Sequence, residues 1–224
     1  MGVLGRKYKQ HKKPKQHSII VYWNGELNKH KMVKQVLMVL VLLAVGCSTP
    51  PLSYEELVER ELASGEINTE LFLGIDFGMS SKDFYAHCWE LNKEETIRQG
   101  PGNLSVQYEP EELDYPGTIN FYPEFYQDRI VVMPMIFEYK SWAPWNKDLF
   151  SDKLVIDVKD MFESWYGKGF IVHDDPELGK VLVKVDGNRQ VMIHIKDDRL
   201  VEAWISDLRT QEELKAAQES TSSL

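Results

Sequence analysis

The sequence predicts an α+β domain with a largely antiparallel sheet and helices packed on one face of that sheet. Three observations support this fold class. Three segments combine capping residues with apolar side chains at helical spacing, and several short runs alternate between apolar and polar residues as strands do. The clearest alternation lies in Lys180–Asp207, where two turns divide the pattern, so we expect a three-stranded antiparallel meander there.

The helices are predicted from their start and stop signals. The first follows the capping box Ser53-x-x-Glu56, and the second follows Ser80, which can cap the N–H of Asp83. Glycines after the first and third segments favour termination there. In the third segment apolar residues recur at helical spacing, which outweighs a short strand-like alternation near its start. The predicted helices are Tyr54–Ser64, Ser81–Lys93 and Ser151–Tyr166.

Two β-rich runs, Thr118–Tyr126 and Arg129–Tyr139, predict the central strands. Gln127-Asp128 separates them, and a two-residue junction is typical of a β-hairpin. Pro123 and Pro134 each remove one hydrogen-bond donor, which indicates bulges or an edge position. Shorter strands or extended segments are expected at Thr69–Asp76 and Leu104–Tyr108.

The meander predicts which of its side chains face inward. Two sets of apolar residues are expected on the same face, Val181, Val183 and Val185 from the first strand and Val191, Ile193 and Ile195 from the second. The turn at Asp186-Gly187 should set this register, and Lys184 should lie at the surface. Trp204, on the third strand, is expected to pack on a helix residue such as Phe162 or Trp165.

Residues 70–140 and 151–208 have similar successions of helix and strands. Gln127-Asp128-Arg129-Ile130-Val131 in the first part is similar to Asp197-Asp198-Arg199-Leu200-Val201 in the second. Two interpretations stay open: chance similarity, since the matches are short, or an internal repeat of two tandem helix-plus-three-strand units that share one sheet. This layout resembles the fold of secreted β-lactamase-inhibitor proteins and of small outer-membrane assembly lipoproteins, and the resemblance implies binding rather than catalysis.

Met32–Pro50 has the features of an export signal. Lys34 precedes ten apolar residues, Val36–Val45, which at about 1.5 Å per residue reach about half of a bilayer core, so a transmembrane helix is disfavoured. A glycine and Cys47 follow, and the run Ala-Val-Gly-Cys resembles the lipobox of bacterial lipoproteins. The resemblance implies cleavage before Cys47, diacylglycerol (palmitate-type chains) on its sulfur, and an anchor in the cell envelope, in the outer membrane of a gram-negative cell. The alternative is a buried apolar segment.

These features divide the chain into five parts. Residues 1–31 are basic, and because Met32 gives a signal of ordinary length by itself, we expect this stretch to be either untranslated or disordered. The other parts are a lipoprotein signal peptide at residues 32–46, a tether at residues 47–52, a single α+β domain at residues 53–209 and a polar tail at residues 210–224.

Charge also changes at the cysteine. Residues 1–46 carry nine Lys and Arg and one acidic residue, a net +8, so the rest of the −9 chain carries −17. Such an acidic surface repels phosphate backbones, which excludes nucleic acid as a partner. Anionic lipid repels it as well, so the lipid on Cys47 must hold the domain at the membrane. Acylation of Cys47 leaves Cys88 without a disulfide partner.

No set of residues in the sequence identifies a catalysed reaction, a metal site or a cofactor-binding site. His87 and Cys88 adjoin, but neighbours on a helix point about 100° apart and cannot act as base and nucleophile. Cys88 shares an apolar stripe with Phe84 and Leu91, so we expect a buried, inert thiol; a reactive thiol is the alternative. His173-Asp174-Asp175 lacks the spacing of a calcium loop, which favours a solvated turn over a metal site.

The candidate binding site is formed by Tyr139, Trp142 and Trp145, around the predicted loop Ser141–Asn146. Exposed aromatic rings bind sugars or protein partners, and tryptophan is enriched in binding hot spots. The alternative is that the loop folds back over the core. We therefore expect a membrane-anchored cell-envelope lipoprotein that binds an envelope protein or another ligand and has no catalytic activity. An envelope hydrolase with an acidic active site is the alternative.

Overall fold

A computed structural model describes residues 52–103, 105–211 and 213. Within them the chain forms three α-helices and nine strands, and a further helical turn begins at Leu208. The helices are α1 (Tyr54–Ser64), α2 (Ser81–Lys93) and α3 (Ser151–Tyr166), with the predicted bounds. The α+β fold class with a largely antiparallel sheet is confirmed. The predicted signal peptide, Cys47 and most of the polar tail lie outside the described residues.

Serine side chains cap the first two helices. Ser53 Oγ accepts a hydrogen bond from the Glu56 N–H at 3.2 Å, and the Glu56 carboxylate accepts one from the Ser53 N–H at 2.9 Å, which completes the predicted capping box. The Ser80 hydroxyl caps α2. The start of α3 has no side-chain cap; the Ser151 N–H donates instead to the backbone oxygen of Asp198, 3.0 Å away. At the start of α3, a hydrogen bond to a residue distant in sequence therefore takes the place of a side-chain cap.

The nine strands form one antiparallel sheet. Their bounds are β1 Ile97–Gln99, β2 Val106–Tyr108, β3 Gly117–Phe121, β4 Glu124–Tyr126, β5 Arg129–Tyr139, β6 Ile171–Asp175, β7 Gly179–Asp186, β8 Arg189–Ile195 and β9 Val201–Asp207. The order across the sheet is β1-β2-β3-β5-β9-β8-β7-β6, and β4 pairs with β5 beyond the end of β3. The predicted hairpin at Gln127-Asp128 joins β4 to β5, and the predicted meander is β7-β8-β9.

The sheet consists of two halves that meet at the β5–β9 pair. α2 precedes the first half, β1–β5, and α3 precedes the second half, β6–β9. Each half has four strands along the sheet in place of the expected three, because the short segments Ile97–Gln99 and Ile171–Asp175 add an edge strand to each. The order of strands does not show whether the two halves arose from one duplicated segment. The internal duplication therefore stays a prediction.

The prolines of the central strands lie at an interruption in the sheet. Tyr122-Pro123 divides the predicted run Thr118–Tyr126 into β3 and β4, and the register shifts beside Glu124. Pro134 lies between the β5 residues that pair with β3 and those that pair with β4. A strand in the middle of the sheet can therefore hold Pro134, because no neighbour on that side pairs with it.

The segment Thr69–Asp76, expected to be extended, is a loop. Leu73 and Gly74 have φ values of 55° and 74°, which turn the chain back on itself. One isolated bridge, between Glu70 and Asp76, closes the loop. The apolar residues that suggested a strand are buried in the core from this loop.

The main core lies between the sheet and α3. Its helix residues are Leu154, Val158, Met161 and Phe162. Its sheet residues include Ile119, Phe121, Met133, Met135, Phe137, Val191, Ile193, Val201, Ala203 and Ile205. Phe84 of α2 and the loop at residues 69–76 complete this core. Alternate residues of each strand thus build one continuous apolar layer.

α1 packs on the opposite face of the sheet, so the expectation that all helices share one face is corrected. Leu57 is buried there against a second apolar cluster, which contains Val181, Val183, Val185 and Leu208. These residues belong mainly to β7, the strand that α1 contacts. The two inner strands of the second half, β7 and β8, are therefore covered on both faces.

The register of β7 and β8 explains this arrangement. Ile193 lies opposite Leu182, and Val191 lies opposite Lys184. The valines of β7 therefore point away from Val191 and Ile193, and the predicted alignment is wrong by one residue, which moves the whole set to the other face. Lys184, expected at the surface, is 4% exposed and pairs with Asp186.

Candidate functional site

The outer face of the first half, together with the adjoining part of β9, is the candidate functional site. We call this surface the open face, and within the described residues none of the three helices packs on it as α1 packs on β7. Its residues include Arg98, Gln107, Thr118, Asn120, Ile136, Glu138, Glu202 and Trp204, which share this face by the strand register. Along β5, residues on the core side are buried, whereas residues on the open face are half-buried.

A row of polar side chains crosses the first three strands of the open face. Arg98 Nε donates to Gln107 Oε1 at 2.6 Å, and Gln107 Nε2 donates to Asn120 Oδ1 at 3.0 Å. The Glu109 carboxylate accepts hydrogen bonds from Arg98 and Lys140. The bond from Lys140 is the main cause that lowers the pKa of Glu109, with the charge of Arg98 acting in the same direction. These hydrogen bonds and ion pairs hold the side chains of the polar row in one arrangement.

A groove of about 520 Å³ lies between this row and β9. Basic groups, Arg98, Lys140 and Arg199, line it, and Arg199 Nε donates to Glu138 at 2.8 Å. Thr118 also lines the groove; its hydroxyl is buried and has no hydrogen-bond partner. A buried hydroxyl without a partner is unusual, because the loss of hydration is uncompensated. The groove therefore carries three basic groups against two carboxylates, a small excess of positive charge, beside a threonine hydroxyl without a partner in the protein.

Trp204 forms the aromatic part of the open face. Its ring stacks on His194, with centroids 5.3 Å apart and an interplanar angle of 24°. His194 Nε2 lies 3.2 Å from Glu202 Oε2, but neither ring nitrogen has an aligned hydrogen bond. The expectation that Trp204 packs on α3 is wrong, because Ala203 and Ile205 take the core side of β9 and alternation turns Trp204 outward.

The structure brings two of the three aromatic residues of the predicted site to the groove, Tyr139 and Trp142. Tyr139 is 2% exposed, and its hydroxyl donates to Asp157 Oδ2 at 2.6 Å. Burial, and then the Asp157 carboxylate, raise the pKa of Tyr139. Trp142 is half-buried at the edge of the groove, where its Nε1–H donates to the backbone oxygen of Asp198 at 3.2 Å. Trp145 is 85% exposed. Tyr139 and Trp142 both line the groove, whereas Trp145 does not. Ligand binding by the trio stays a prediction.

The other residues considered from the sequence do not form a reactive centre. Cys88 is half-buried, and burial raises the pKa of its thiol to about 11. His87 Nε2 lies 2.6 Å from the backbone oxygen of Leu73. Asp174 pairs with Lys180 at 2.8 Å. Asp175 Oδ1 accepts bonds from two backbone N–H groups of the following turn. Within the described ranges no group of three His, Cys, Asp or Glu side chains is placed to hold a metal ion.

The sequence did not reveal the polar row or the groove. Arg98 lies on a three-residue strand without a recognisable pattern, and Gln107 and Asn120 are brought beside it by pairing between strands. Trp204 had a usable signal, because Val201, Ala203 and Ile205 form the more apolar set of β9.

In the part of the chain that the structure covers, no helix has both the length and the apolar character needed to span a membrane.

Comparisons of the chain with protein-family models, with curated proteins and with solved structures found no significant match in any of the three.

Proposed function

We propose that this protein is a lipid-anchored lipoprotein of the bacterial cell envelope and that its domain binds a protein partner through the open face. The observation that carries the proposal is the groove on that face, where the unpartnered Thr118 hydroxyl lies among three basic side chains. A buried polar group gains most when a ligand supplies its missing hydrogen bond. The groove thus suits an acidic or polar side chain of a partner.

The composition of the open face supports a protein partner. Arginine and tryptophan are enriched in the few interface residues that dominate binding energy, and Arg98, Arg199 and Trp204 lie on one continuous face. The two carboxylates beside them are each engaged by a basic group, Glu138 by Arg199 and Glu202 by Lys196. Because both carboxylates are engaged within the protein, the surface suits binding better than acid catalysis.

The anchor rests on the sequence at Cys47. Two acyl chains, at about 0.8 kcal/mol per buried methylene, hold a protein stably at a membrane, whereas one chain does not. We expect protein extracted from membranes to have the mass of Cys47–Leu224 plus acyl chains. Cys47→Ala should abolish the added mass and release the protein from the membrane. An unmodified chain that begins at Met1 and retains residues 1–46 would refute the anchor.

The open face is tested by crosslinking in cells of the source organism. A photoreactive phenylalanine analogue at Trp204 should crosslink to a discrete partner, whereas the same analogue at Ile156, an exposed residue of α3 on the other side of the sheet, should not. Arg98→Glu should reduce the crosslink from position 204, because it reverses charge in the groove. Identical adducts from positions 204 and 156, or none from either, would contradict the proposal.

A further inference from the structure

A second cavity lies on the core side of the sheet, away from the open face. It has a volume of about 290 Å³ and lies between the loop at residues 69–76 and the end of α3. Half of its eight lining residues are aromatic: Phe72, Tyr108, Trp165 and Tyr166. Two leucines and two exposed glutamates complete the lining, Leu71, Leu73, Glu70 and Glu112. This size is near the lower end of the range for small-molecule sites.

Contacts within the protein hold the aromatic wall in position. The rings of Phe72 and Trp165 stack with centroids 5.6 Å apart and an interplanar angle of 8°. Trp165 Nε1–H donates to Glu112 Oε1 at 2.8 Å, and the Tyr166 hydroxyl donates to the backbone oxygen of Leu71. These contacts need no ligand, so a ligand that enters the cavity does not have to order the rings.

Carboxylates lie at the cavity, Glu70 and Glu112 in its lining and Glu111 near Tyr108. Among the residues that the structure describes, no basic side chain lies within ion-pair distance of Glu70, Glu111 or Glu112. Burial, followed by the charges of Glu112 and Glu111, raises the pKa of Tyr108. Trp165 and Tyr166 are also the last two residues of α3, and a helix C-terminus carries partial negative charge.

One ring of the wall already binds a cation of the protein itself. The Arg189 guanidinium lies 3.9 Å from the centre of the Tyr166 ring. Arg189 also donates to the backbone oxygen of Glu70 at 2.9 Å and pairs with Asp186. Asp186 also pairs with Lys184, so Arg189 shares that carboxylate with a second cation. The Tyr166 ring is therefore already engaged, by Arg189 and by the stacked ring of Phe162, which leaves Phe72, Tyr108 and Trp165 for a ligand.

We propose that this cavity binds a small organic cation with a methylated ammonium head group. Aromatic faces attract such a cation through their quadrupoles, and the two carboxylates add charge complementarity. A primary ammonium group needs three hydrogen-bond acceptors, and the side-chain acceptors of the lining are mainly the carboxylates of Glu70 and Glu112. A tetraalkylammonium group needs none, so it fits this wall better. The inference does not depend on the open face or on the lipid anchor.

The test is calorimetric titration of the purified domain with tetramethylammonium and choline at low ionic strength. We expect saturable binding of both ions. The neutral choline isostere 3,3-dimethylbutanol should bind at least about tenfold more weakly, because it lacks the charge that the carboxylates and rings attract. Methylammonium, a primary amine, should also bind more weakly than tetramethylammonium.

Two variants and one control locate the site. Glu70→Gln combined with Glu112→Gln should weaken tetramethylammonium binding about tenfold or more, since it removes two charges next to the cation and keeps the amide oxygen that Trp165 can use. Glu177→Gln, in an exposed turn on the far edge of the sheet, should leave binding unchanged. Absence of tetramethylammonium binding, equal binding of the neutral isostere, or equal weakening by Glu177→Gln would overturn the proposal. None of these outcomes would affect the proposed partner site on the open face.

Discussion

In the half of the sheet formed by β6–β9, strands β7 and β8 are covered on both faces, whereas the half formed by β1–β5 is covered on one. α1 lies over β7 on one side, and α3 covers β8 and β9 on the other. In the first half, the outer residues Asn120 and Ile136 are half-buried, with no such helix over them in the described chain. An antiparallel sheet needs only one buried face. The first half can therefore keep polar and aromatic groups on its second face, where a partner can reach them.

The helices that belong to the two halves differ in the same way. α3 buries Leu154, Val158, Met161 and Phe162, whereas Phe84 is the one buried residue of α2. Trp89, the neighbour of Cys88 on α2, is 64% exposed. The comparison teaches that the stability of this domain is concentrated in the second half and the β5–β9 junction, and that the first half is the more accessible one.

The largest effect should separate two neighbours on β5. Phe137→Ala, on the core side, should lower the free energy of unfolding by about 3–5 kcal/mol, because it removes a fully buried ring. Ile136→Ala, on the open face, should cost about 1 kcal/mol, because that side chain is already partly in water. Urea denaturation followed by tryptophan fluorescence measures both. Equal losses would mean that the open face is covered in solution.

A smaller effect is expected from α1. Leu57→Ala should cost about 2–3 kcal/mol, since Leu57 is the buried residue through which α1 contacts the valines of β7. Glu59→Ala, on the exposed side of the same helix, should change stability by less than about 0.5 kcal/mol and serves as the control. If the two variants had the same unfolding midpoint, α1 would contribute nothing and the two halves would not differ.

The smallest effect concerns chemical reactivity and sharpens the comparison at α2. Burial disfavours the Cys88 thiolate and raises the pKa of the thiol to about 11, so the reactive form is scarce at neutral pH. In a chain with Cys47→Ser, alkylation of the folded protein should be slow at pH 7.5 and rise about tenfold per pH unit until the pH nears 11. Stopped-flow alkylation with and without denaturant measures this. A rate that levels off near pH 8.5, as for a free cysteine, would show that α2 leaves Cys88 in water.

The elements with complete local signals were predicted from the sequence. Ser53 and Glu56 cap α1 as expected, and the bounds of β5 and all three helices agree with the pattern. The register of the meander was not predictable from apolar alternation, because β7 is apolar on one face and β8 on the other. A strand covered on both sides carries no signal for which face is the core.

The candidate site was predicted only in part. Tyr139 and Trp142 of the predicted trio line the groove, Tyr139 from a buried position, whereas Trp145 is exposed and does not line it. Arg98 and Thr118 are separated in sequence and come together through two strand pairings. Local sequence patterns do not reveal contacts between distant segments, so the groove could be recognised only in the folded structure.

The two outermost strands bear on how this domain avoids aggregation. An unpaired strand edge is a template for another chain, and proteins discourage such pairing with short or charged edges. β1 is only three residues long and carries Arg98, whereas β6 ends in Asp174 and Asp175. Both edges therefore resist sheet extension between copies, so a surface left uncovered for a partner does not also invite polymerisation of the protein.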